Sequence, residues 1–207
     1  MTSTHTSFID KHTNQANLDN LLAIIHHLTP TAEQKSTAVA KKLNMDFYDS
    51  PLGMMCVVAD DEYLFLVEFV DRKHIAKELQ QLIKKLIAYF VFEKNAITIN
   101  TITQLNAYFN KKRTQFDLPT KTLGTDFQQS VWQCLLTIPY GSTISYAEQA
   151  RMMQKDKAVR AVANANAMNR LAIIFPCHRV IGSDVSLTGY AGKIERKAWL
   201  LKHEGAL

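Results

Sequence analysis

Apolar and polar positions divide the chain into three stretches with different patterns. Residues 1–44 begin with a polar run and then carry leucine and isoleucine at helical spacing from Leu18 to Leu28, which predicts a helix. A second helix is predicted to begin after Pro30, because Thr31 and Gln34 have the spacing of a capping box. We assign no function to this N-terminal extension.

Residues 45–119 are predicted to form a small N-terminal α/β domain. Two runs rich in β-branched and aromatic residues predict a β-hairpin that turns at three acidic residues, and apolar residues at helical spacing then predict an amphipathic helix. A short strand and a second helix are expected to complete the domain. These elements are predicted, in order, at residues 47–59 and 63–70, 75–86, 97–100 and 103–109.

Residues 120–207 are predicted to be mostly helical, which gives the whole chain an α+β fold. The first helix of this domain is marked by an apolar stripe over residues 127–138. It is expected to end at Pro139 and Gly141, since proline and glycine interrupt a helix.

A pair of short helices is predicted next. Ser145 and Glu148 have the spacing of a capping box, which marks the start of the first helix. A polar turn at 154–156 separates it from a second helix that extends to Ala167. Two short helices joined by a tight turn are typical of a helix-turn-helix, a motif that binds DNA.

The second helix of this pair is rich in alanine. Small side chains would let its backbone approach a nucleic-acid groove closely. Alanine is also the best helix former, so the same composition fits a helix that only packs against its neighbours. The pattern leaves both interpretations open.

The composition is that of a globular protein with a modest positive charge. The 207 residues are 47% hydrophobic and 21% charged, with a net charge of +5 and a pI near 9.0. This charge suits a polyanionic partner such as DNA. No stretch approaches the ~20 apolar residues that span a bilayer, and no signal-peptide pattern opens the chain, so a cytoplasmic protein is expected.

No metal is expected, and the cysteines are expected to be reduced. Cys56, Cys134 and Cys177 do not share zinc-ligand spacing with histidines. His26 and His27 are adjacent, but neighbours on a helix diverge by about 100 degrees. A solvated or packed pair explains them better than a metal site.

The most informative motif is Pro176-Cys177-His178. A cysteine is nucleophilic as the thiolate and needs a base to reach that state. An adjacent histidine can serve only if a turn or a bridging water brings the two side chains together. The apolar run 171–175 before the motif predicts a buried strand that presents the cysteine at its end. The alternative is an unreactive cysteine packed at a strand end.

The residues around this motif occur in the same order in a known protein family. They are PCHRV at 176–180, TGYAG at 188–192 and WLLKHEG at 199–205, preceded by GTDFQQSVWQ at 124–133, IPYG at 138–141, ISY at 144–146 and AVRAV at 158–162. The chain therefore resembles the O6-alkylguanine-DNA alkyltransferases, strongly over 116–205 and weakly over 46–118.

This resemblance implies direct-reversal DNA repair. Such a protein transfers methyl or other alkyl groups from O6 of guanine, and also from O4 of thymine, to its own cysteine. It binds double-stranded DNA from the minor groove and flips the damaged nucleotide out of the stack. Each molecule is expected to act once, as a monomer and without a cofactor.

The resemblance also implies roles for three catalytic residues. Cys177 is the nucleophile. His178 takes the thiol proton through a water molecule, and Glu204 orients His178 as the third member of a triad.

A second set of residues is implied to bind DNA and the flipped base. Tyr146 and the backbone amide of Ala191 would donate to guanine N3 and O6, and backbone carbonyls near Cys177 and Val180 would accept from its exocyclic amine. The Arg160 guanidinium would enter the base stack where the nucleotide leaves it. The rest of the set is Asn169, which braces the turn before the active-site cysteine, with Ala161 and Tyr190.

The chain departs from the family's sequence pattern at two places. Residues 154–157 replace a Gly-Lys-Pro turn, and Lys193 stands where many members have glycine.

Three other classes of protein fit the sequence less well. A non-catalytic binder of alkylated bases would lack Cys177. An adaptive-response regulator would need a four-cysteine zinc domain, whereas residues 1–44 contain no cysteine. A Cys-His hydrolase does not explain a helix-turn-helix beside the nucleophile.

Overall fold

The computed structural model describes residues 11–28, 40–183, 187, 190 and 192–207. These residues form two compact units that divide between Lys121 and Thr122. The described helices are Lys11–Leu28 (α1), Ile75–Leu86 (α2), Ala96–Phe109 (α3), Asp126–Leu135 (α4), Tyr146–Met152 (α5), Val159–Ala167 (α6) and Ile194–Glu204 (α7). The described strands are Lys41–Ser50 (β1), Gly53–Ala59 (β2), Leu64–Phe69 (β3), Ala88–Val91 (β4), Ile144–Ser145 (β5) and Val180–Ile181 (β6). The predicted α+β fold is confirmed.

The first unit is built on a four-stranded sheet in the order β3-β2-β1-β4. Strands β1, β2 and β3 are antiparallel neighbours, and β4 lies parallel to β1. Every residue of β3 is buried, on both faces of the sheet. The helix α3 packs against β1 and β2, while α1 contacts α2 and β2.

The predicted first arm of the hairpin, 47–59, is wrong as a single strand. The structure divides it into β1 and β2, because Pro51 and Leu52 form a tight turn. The Ser50 hydroxyl donates to the Gly53 carbonyl at 2.6 Å, and Gly53 has a φ of +115° that favours glycine. The second hairpin turn is as expected, with the Asp60 carboxylate accepting from the backbone amides of Glu62 and Tyr63.

The predicted strand at 97–100 is also wrong, since these residues begin α3. Three β-branched residues in this run suggested a strand. The Asn95 side chain, however, accepts from the Thr98 amide at 2.9 Å, and the Thr98 hydroxyl accepts from the Asn95 amide at 3.0 Å. This reciprocal cap starts a helix, and the strand of this region is β4.

Three helix predictions in the first unit are confirmed, and the one at 103–109 is the second half of α3. The predicted helix at 75–86 is α2. The predicted helix at Leu18–Leu28 lies within α1, which begins earlier, at Lys11, and buries Leu21 and Ile25. The capping box predicted at Thr31 lies outside the described residues.

Three helices of the second unit are held together by buried amide side chains. The Gln149 side chain of α5 donates to the Val131 carbonyl of α4 at 3.1 Å and accepts from Asn166 of α6 at 2.6 Å. The Trp132 indole donates to the Ala165 carbonyl at 2.8 Å. Because a buried amide is costly unless it is satisfied, these bonds favour one arrangement of α4, α5 and α6.

The predicted pair of short helices is α5 and α6. The Ser145 hydroxyl accepts from the Glu148 amide at 3.1 Å, as the capping-box spacing predicts. Gln154 ends the first helix with a φ of +57°, and a short 3-10 turn at Asp156–Ala158 leads into the second. No helix among the described residues is long and apolar enough to cross a membrane.

The run 171–175 is buried as predicted, but the strand prediction is wrong. Ile173 has a φ of +71°, and the Phe175 amide donates back to the Leu171 carbonyl at 2.8 Å, so the run forms a turn. The Asn169 side chain satisfies this backbone, accepting from the Leu171 amide at 2.9 Å and donating to the Phe175 carbonyl at 2.8 Å. A short apolar run can therefore be buried as a turn rather than as a strand.

Candidate active site

Cys177 opens a 3-10 turn that ends at Arg179 and leads into β6. The thiol is half-buried, and the Asn169 amide nitrogen donates to its sulfur at 3.3 Å. The family resemblance implies a bracing role for Asn169 at the preceding turn. The same side chain also contacts the sulfur directly, where an amide donor favours the thiolate.

His178 is fully buried, and its Nε2 lies 2.9 Å from Oε1 of Glu204. An ionised carboxylate only accepts hydrogen bonds, so we assign the imidazole proton to Nε2. Nδ1 then carries the free lone pair. This atom has no hydrogen-bond partner among the described residues, and it is the atom that can accept a proton.

The Glu204 carboxylate, at the last residue of α7, accepts from four groups. Oε1 accepts from His178 at 2.9 Å and from Nη2 of Arg179 at 3.0 Å. Oε2 accepts from Nε of Arg179 at 2.8 Å and from the Gly141 amide at 3.3 Å. His178, Arg179 and Gly141 thereby converge on one buried anion.

Gly141 donates its backbone amide to this carboxylate. It has a φ of +74°, and a side chain there would place its Cβ 3.0 Å from the Glu204 carbonyl oxygen. Both the left-handed backbone and the close approach favour glycine here. The predicted helix end at Pro139 and Gly141 is wrong, since α4 already ends at Leu135, and Gly141 instead supplies a donor to the site.

Burial and pairing set the ionisation of these groups. Burial alone would raise the pKa of Glu204, but the hydrogen bonds from His178 and Arg179 outweigh it and hold that pKa well below its usual range. Burial lowers the pKa of His178, and the charges of Arg179 and Lys197 lower it further, against the opposing effect of Glu204. The site therefore holds an anionic glutamate beside a neutral histidine.

Strands β5 and β6 pair in parallel and bring Tyr146 to the Cys177 side of the unit. The Tyr146 ring lies 5.8 Å from Nζ of Lys197, and burial together with the nearby Cys177 raises the pKa of Tyr146 to about 12. The phenol is thus protonated at neutral pH and can donate a hydrogen bond. The Val180 carbonyl accepts from Nζ of Lys197 at 2.6 Å.

The remaining predicted residues lie at the surface or beyond the described part. Arg160 and Ala161 are exposed near the start of α6, whose opposite face buries Val162 and Ala165. Tyr190 is half-buried. Ala191 lies outside the described residues, and no group of three or more potential metal ligands comes together within the described part of the chain.

Both units match known protein domains. Residues 43–122 match the ribonuclease-like domain of 6-O-methylguanine DNA methyltransferase, and residues 126–206 match its DNA binding domain. The chain belongs to the 6-O-methylguanine DNA methyltransferase family.

Relatives from this methyltransferase family are similar to the chain over most of its length, in sequence and in structure. The methylated-DNA–protein-cysteine methyltransferase of Mycobacterium leprae is 40% identical over 75% of this chain and 88% of its own length. That of Methanosarcina barkeri is 42% identical over 77% of this chain and 95% of its own length. The crystal structure of the Mycobacterium tuberculosis O6-methylguanine methyltransferase superposes with a TM-score of 0.68 at 38% identity, covering 79% of this chain and 93% of that one.

The site contains two cations that the sequence analysis did not single out. Arg179 lies inside the PCHRV motif of the methyltransferase family without an assigned role. Lys197 stands in a charged run that is typical of a solvated surface, yet it is fully buried. Its spacing with Leu200, Leu201 and Glu204 on one helix face was the signal that could have located it.

Because of Lys197, the unfolding free energy of the protein should increase between pH 8 and pH 10. Burial lowers its pKa to about 8 from an ordinary 10.5, so the unfolded chain binds more protons between these values and stability rises with pH there. We expect the parent to gain about 2 kcal/mol of unfolding free energy relative to Lys197→Met between pH 8 and 10. Urea unfolding of both proteins at the two pH values measures this, and parallel pH dependence would disprove the buried ammonium.

Proposed function

We propose that this protein repairs DNA by transferring methyl or other alkyl groups from O6 of guanine to Sγ of Cys177. The observation that carries the proposal is a half-buried thiol beside a neutral histidine that Glu204 orients, within a chain of the methyltransferase family. The Mycobacterium tuberculosis OGT in complex with DNA, 38% identical over 80% of this chain at a TM-score of 0.65, supports DNA as the partner.

The proposed chemistry begins with the thiol proton. Nδ1 of His178 accepts it through a water molecule, and the resulting thiolate attacks the alkyl carbon. A sulfur–carbon bond forms as the carbon–O6 bond breaks, and guanine leaves with the electron pair. Glu204 stabilises the imidazolium that forms, as the third member of a triad does.

Departure of guanine is assisted by hydrogen-bond donors. The protonated Tyr146 hydroxyl is assigned to guanine N3, where negative charge develops, and the Ala191 backbone amide is assigned to O6. The Val180 carbonyl already accepts from Lys197, and its second lone pair is assigned to the exocyclic amine. Tyr190 belongs to the same pocket. The same donors would serve O4 of alkylated thymine.

The pair α5 and α6 is proposed to act as a helix-turn-helix that binds double-stranded DNA from the minor groove. Arg160 and Ala161 are exposed on α6, while its opposite face is fixed to α4 by the Trp132 hydrogen bond. Once the damaged nucleotide is flipped, the planar Arg160 guanidinium fills its place in the stack. This assigns DNA binding and transfer to residues 120–207.

The proposal includes a cytoplasmic monomer that needs no cofactor. All three cysteines are free, which suits a reducing compartment. The direct test is incubation with duplex DNA that contains one O6-methylguanine, followed by intact-protein mass. A gain of one methyl group supports transfer, whereas an unchanged mass with released product indicates a hydrolase.

Replacing Arg160 by alanine should slow transfer much more than it weakens DNA binding. Removing one phosphate-facing charge changes the salt slope of binding by only about one unit. Loss of the group that fills the stack should slow single-turnover transfer by roughly 10-fold or more, because unstacking a base costs a few kcal/mol. Rapid-quench transfer at saturating protein measures the rate.

Arg151→Ala is the matched control for this experiment. Arg151 is an exposed arginine on α5, so its replacement removes the same charge from the same helix pair. It should show a similar change in salt slope and a transfer rate close to the parent's. Equal rates for Arg160→Ala and the parent would remove Arg160 from the flipping step.

A further inference from the structure

The Arg179 side chain is buried in the site and forms hydrogen bonds through all three of its nitrogen atoms. Its Nε and Nη2 donate to the two oxygens of Glu204 at 2.8 and 3.0 Å, and its Nη1 donates to the Ile138 carbonyl at 2.6 Å. The side chain is 8% exposed and that of Glu204 is fully buried. This bidentate contact is the strongest geometry for an arginine and a carboxylate.

The single negative charge of Glu204 is shared between two neighbours, His178 and Arg179. Oε1 of Glu204 accepts from both His178 and Arg179, whose permanent positive charge already balances the carboxylate. Without that balance, the buried carboxylate would raise the pKa of His178 and favour the imidazolium. An imidazolium carries protons on both nitrogens and cannot accept the proton of a thiol.

We propose that Arg179 is a positioning residue that keeps His178 neutral, and so able to accept the Cys177 proton, by balancing the charge of Glu204. The inference rests on the proposed function for its catalytic meaning. The proton moves from Sγ through water to Nδ1, leaving the thiolate electron pair for the alkyl carbon, and no oxidant or reductant is involved. Arg179 touches neither the substrate nor the sulfur in this scheme.

The other groups around His178 agree with this assignment. The charged groups that face it are Glu204 and Lys197 from α7 and Arg179 from its own turn, with Cys177 adjacent in the chain. Tyr140, from the segment before β5, interacts with Glu204 and Arg179. Glu204 is the one group of this set that favours the imidazolium, and Arg179 is the one that directly contacts Glu204 to oppose it.

The test is a nuclear magnetic resonance titration of the His178 ring protons in the parent, Arg179→Gln and Arg179→Lys. Arg179→Gln should raise the midpoint of the His178 titration by roughly one to two pH units, because the carboxylate is no longer balanced. Arg179→Lys loses the bidentate contact but retains the charge, so the His178 midpoint should stay within about half a unit of the parent. The acid limb of the transfer rate should move with the titration in each protein.

A double variant separates charge from structure. In Arg179→Gln/Glu204→Gln no carboxylate remains to hold an imidazolium, so the upward shift should disappear. An unchanged midpoint in Arg179→Gln, or equal shifts in Arg179→Gln and Arg179→Lys, would overturn the inference. If Arg179→Gln does not fold, Arg179→Met takes its place beside Arg179→Lys, and the same two outcomes decide. The titration needs no substrate, so failure of alkyl transfer would be visible separately.

Discussion

With excess duplex DNA containing O6-methylguanine, methyl removal should stop at one equivalent per protein molecule. Transfer to Sγ of Cys177 produces a thioether, which neither water nor thiol exchange cleaves as they would an acyl-enzyme or a disulfide. Cys177→Ala should remove no methyl at all, since the nucleophile is absent. Quantitation of repaired DNA against protein, with a peptide map for the modified residue, measures both results.

Cys134→Ala is the matched control, because Cys134 is also a half-buried free cysteine of the second unit. Burial raises the pKa of Cys134, so its thiol is a poor nucleophile at neutral pH, and its replacement should leave one equivalent transferred. Cys177→Ala should still bind DNA, as Arg160 and α6 are unchanged. Methyl release beyond one equivalent, or a label on Cys134 or Cys56, would contradict the mechanism and favour a hydrolase.

The parts of the fold that the sequence predicted are those with local causes. The cap at Ser145 and the amphipathic stripe of α2 each lie within one turn or one helix, and both appear as expected. Two of the three wrong strand predictions, both in the first unit, had the right composition but the wrong context. A turn at Pro51 divided one, and the Asn95 cap converted the other into a helix.

In the active site, too, the sequence did not predict contacts between residues that are distant along the chain. The motif located Cys177 and His178, while Arg179 and Lys197 received no role, because charged side chains are mostly exposed. A buried charge requires a partner, and here the partners are distant in the chain. Glu204 is 25 residues from Arg179, and the Val180 carbonyl is 17 residues from Lys197. Only the folded arrangement of the turn against α7 shows why these cations are inside.

Replacing Glu204 by glutamine should reduce both the transfer rate and the stability. The carboxylate accepts from four donors on two oxygens, whereas glutamine has one oxygen and a donating amide that must face Arg179, Gly141 or His178. The buried Arg179 charge loses its counterion, which should cost roughly 3 kcal/mol of unfolding free energy. If the new amide faces His178, Nε2 becomes the acceptor and Nδ1 carries the proton, so the base is lost and transfer should slow by about 100-fold or more.

The stability loss in Glu204→Gln should depend on pH. The pKa of Glu204 is lowered by folding, so its stabilising contribution is present above the unfolded value of 4.5 and is lost as pH falls below it. The parent and Glu204→Gln should therefore differ most in urea unfolding at pH 7, and the difference should shrink at pH 3. Glu195→Gln, an exposed carboxylate in the first turn of the same helix, should change stability by less than about 0.5 kcal/mol at either pH. A difference that is the same at pH 7 and pH 3 would show that Glu204 acts through shape alone, because a neutral role for the carboxyl group has no reason to follow its ionisation.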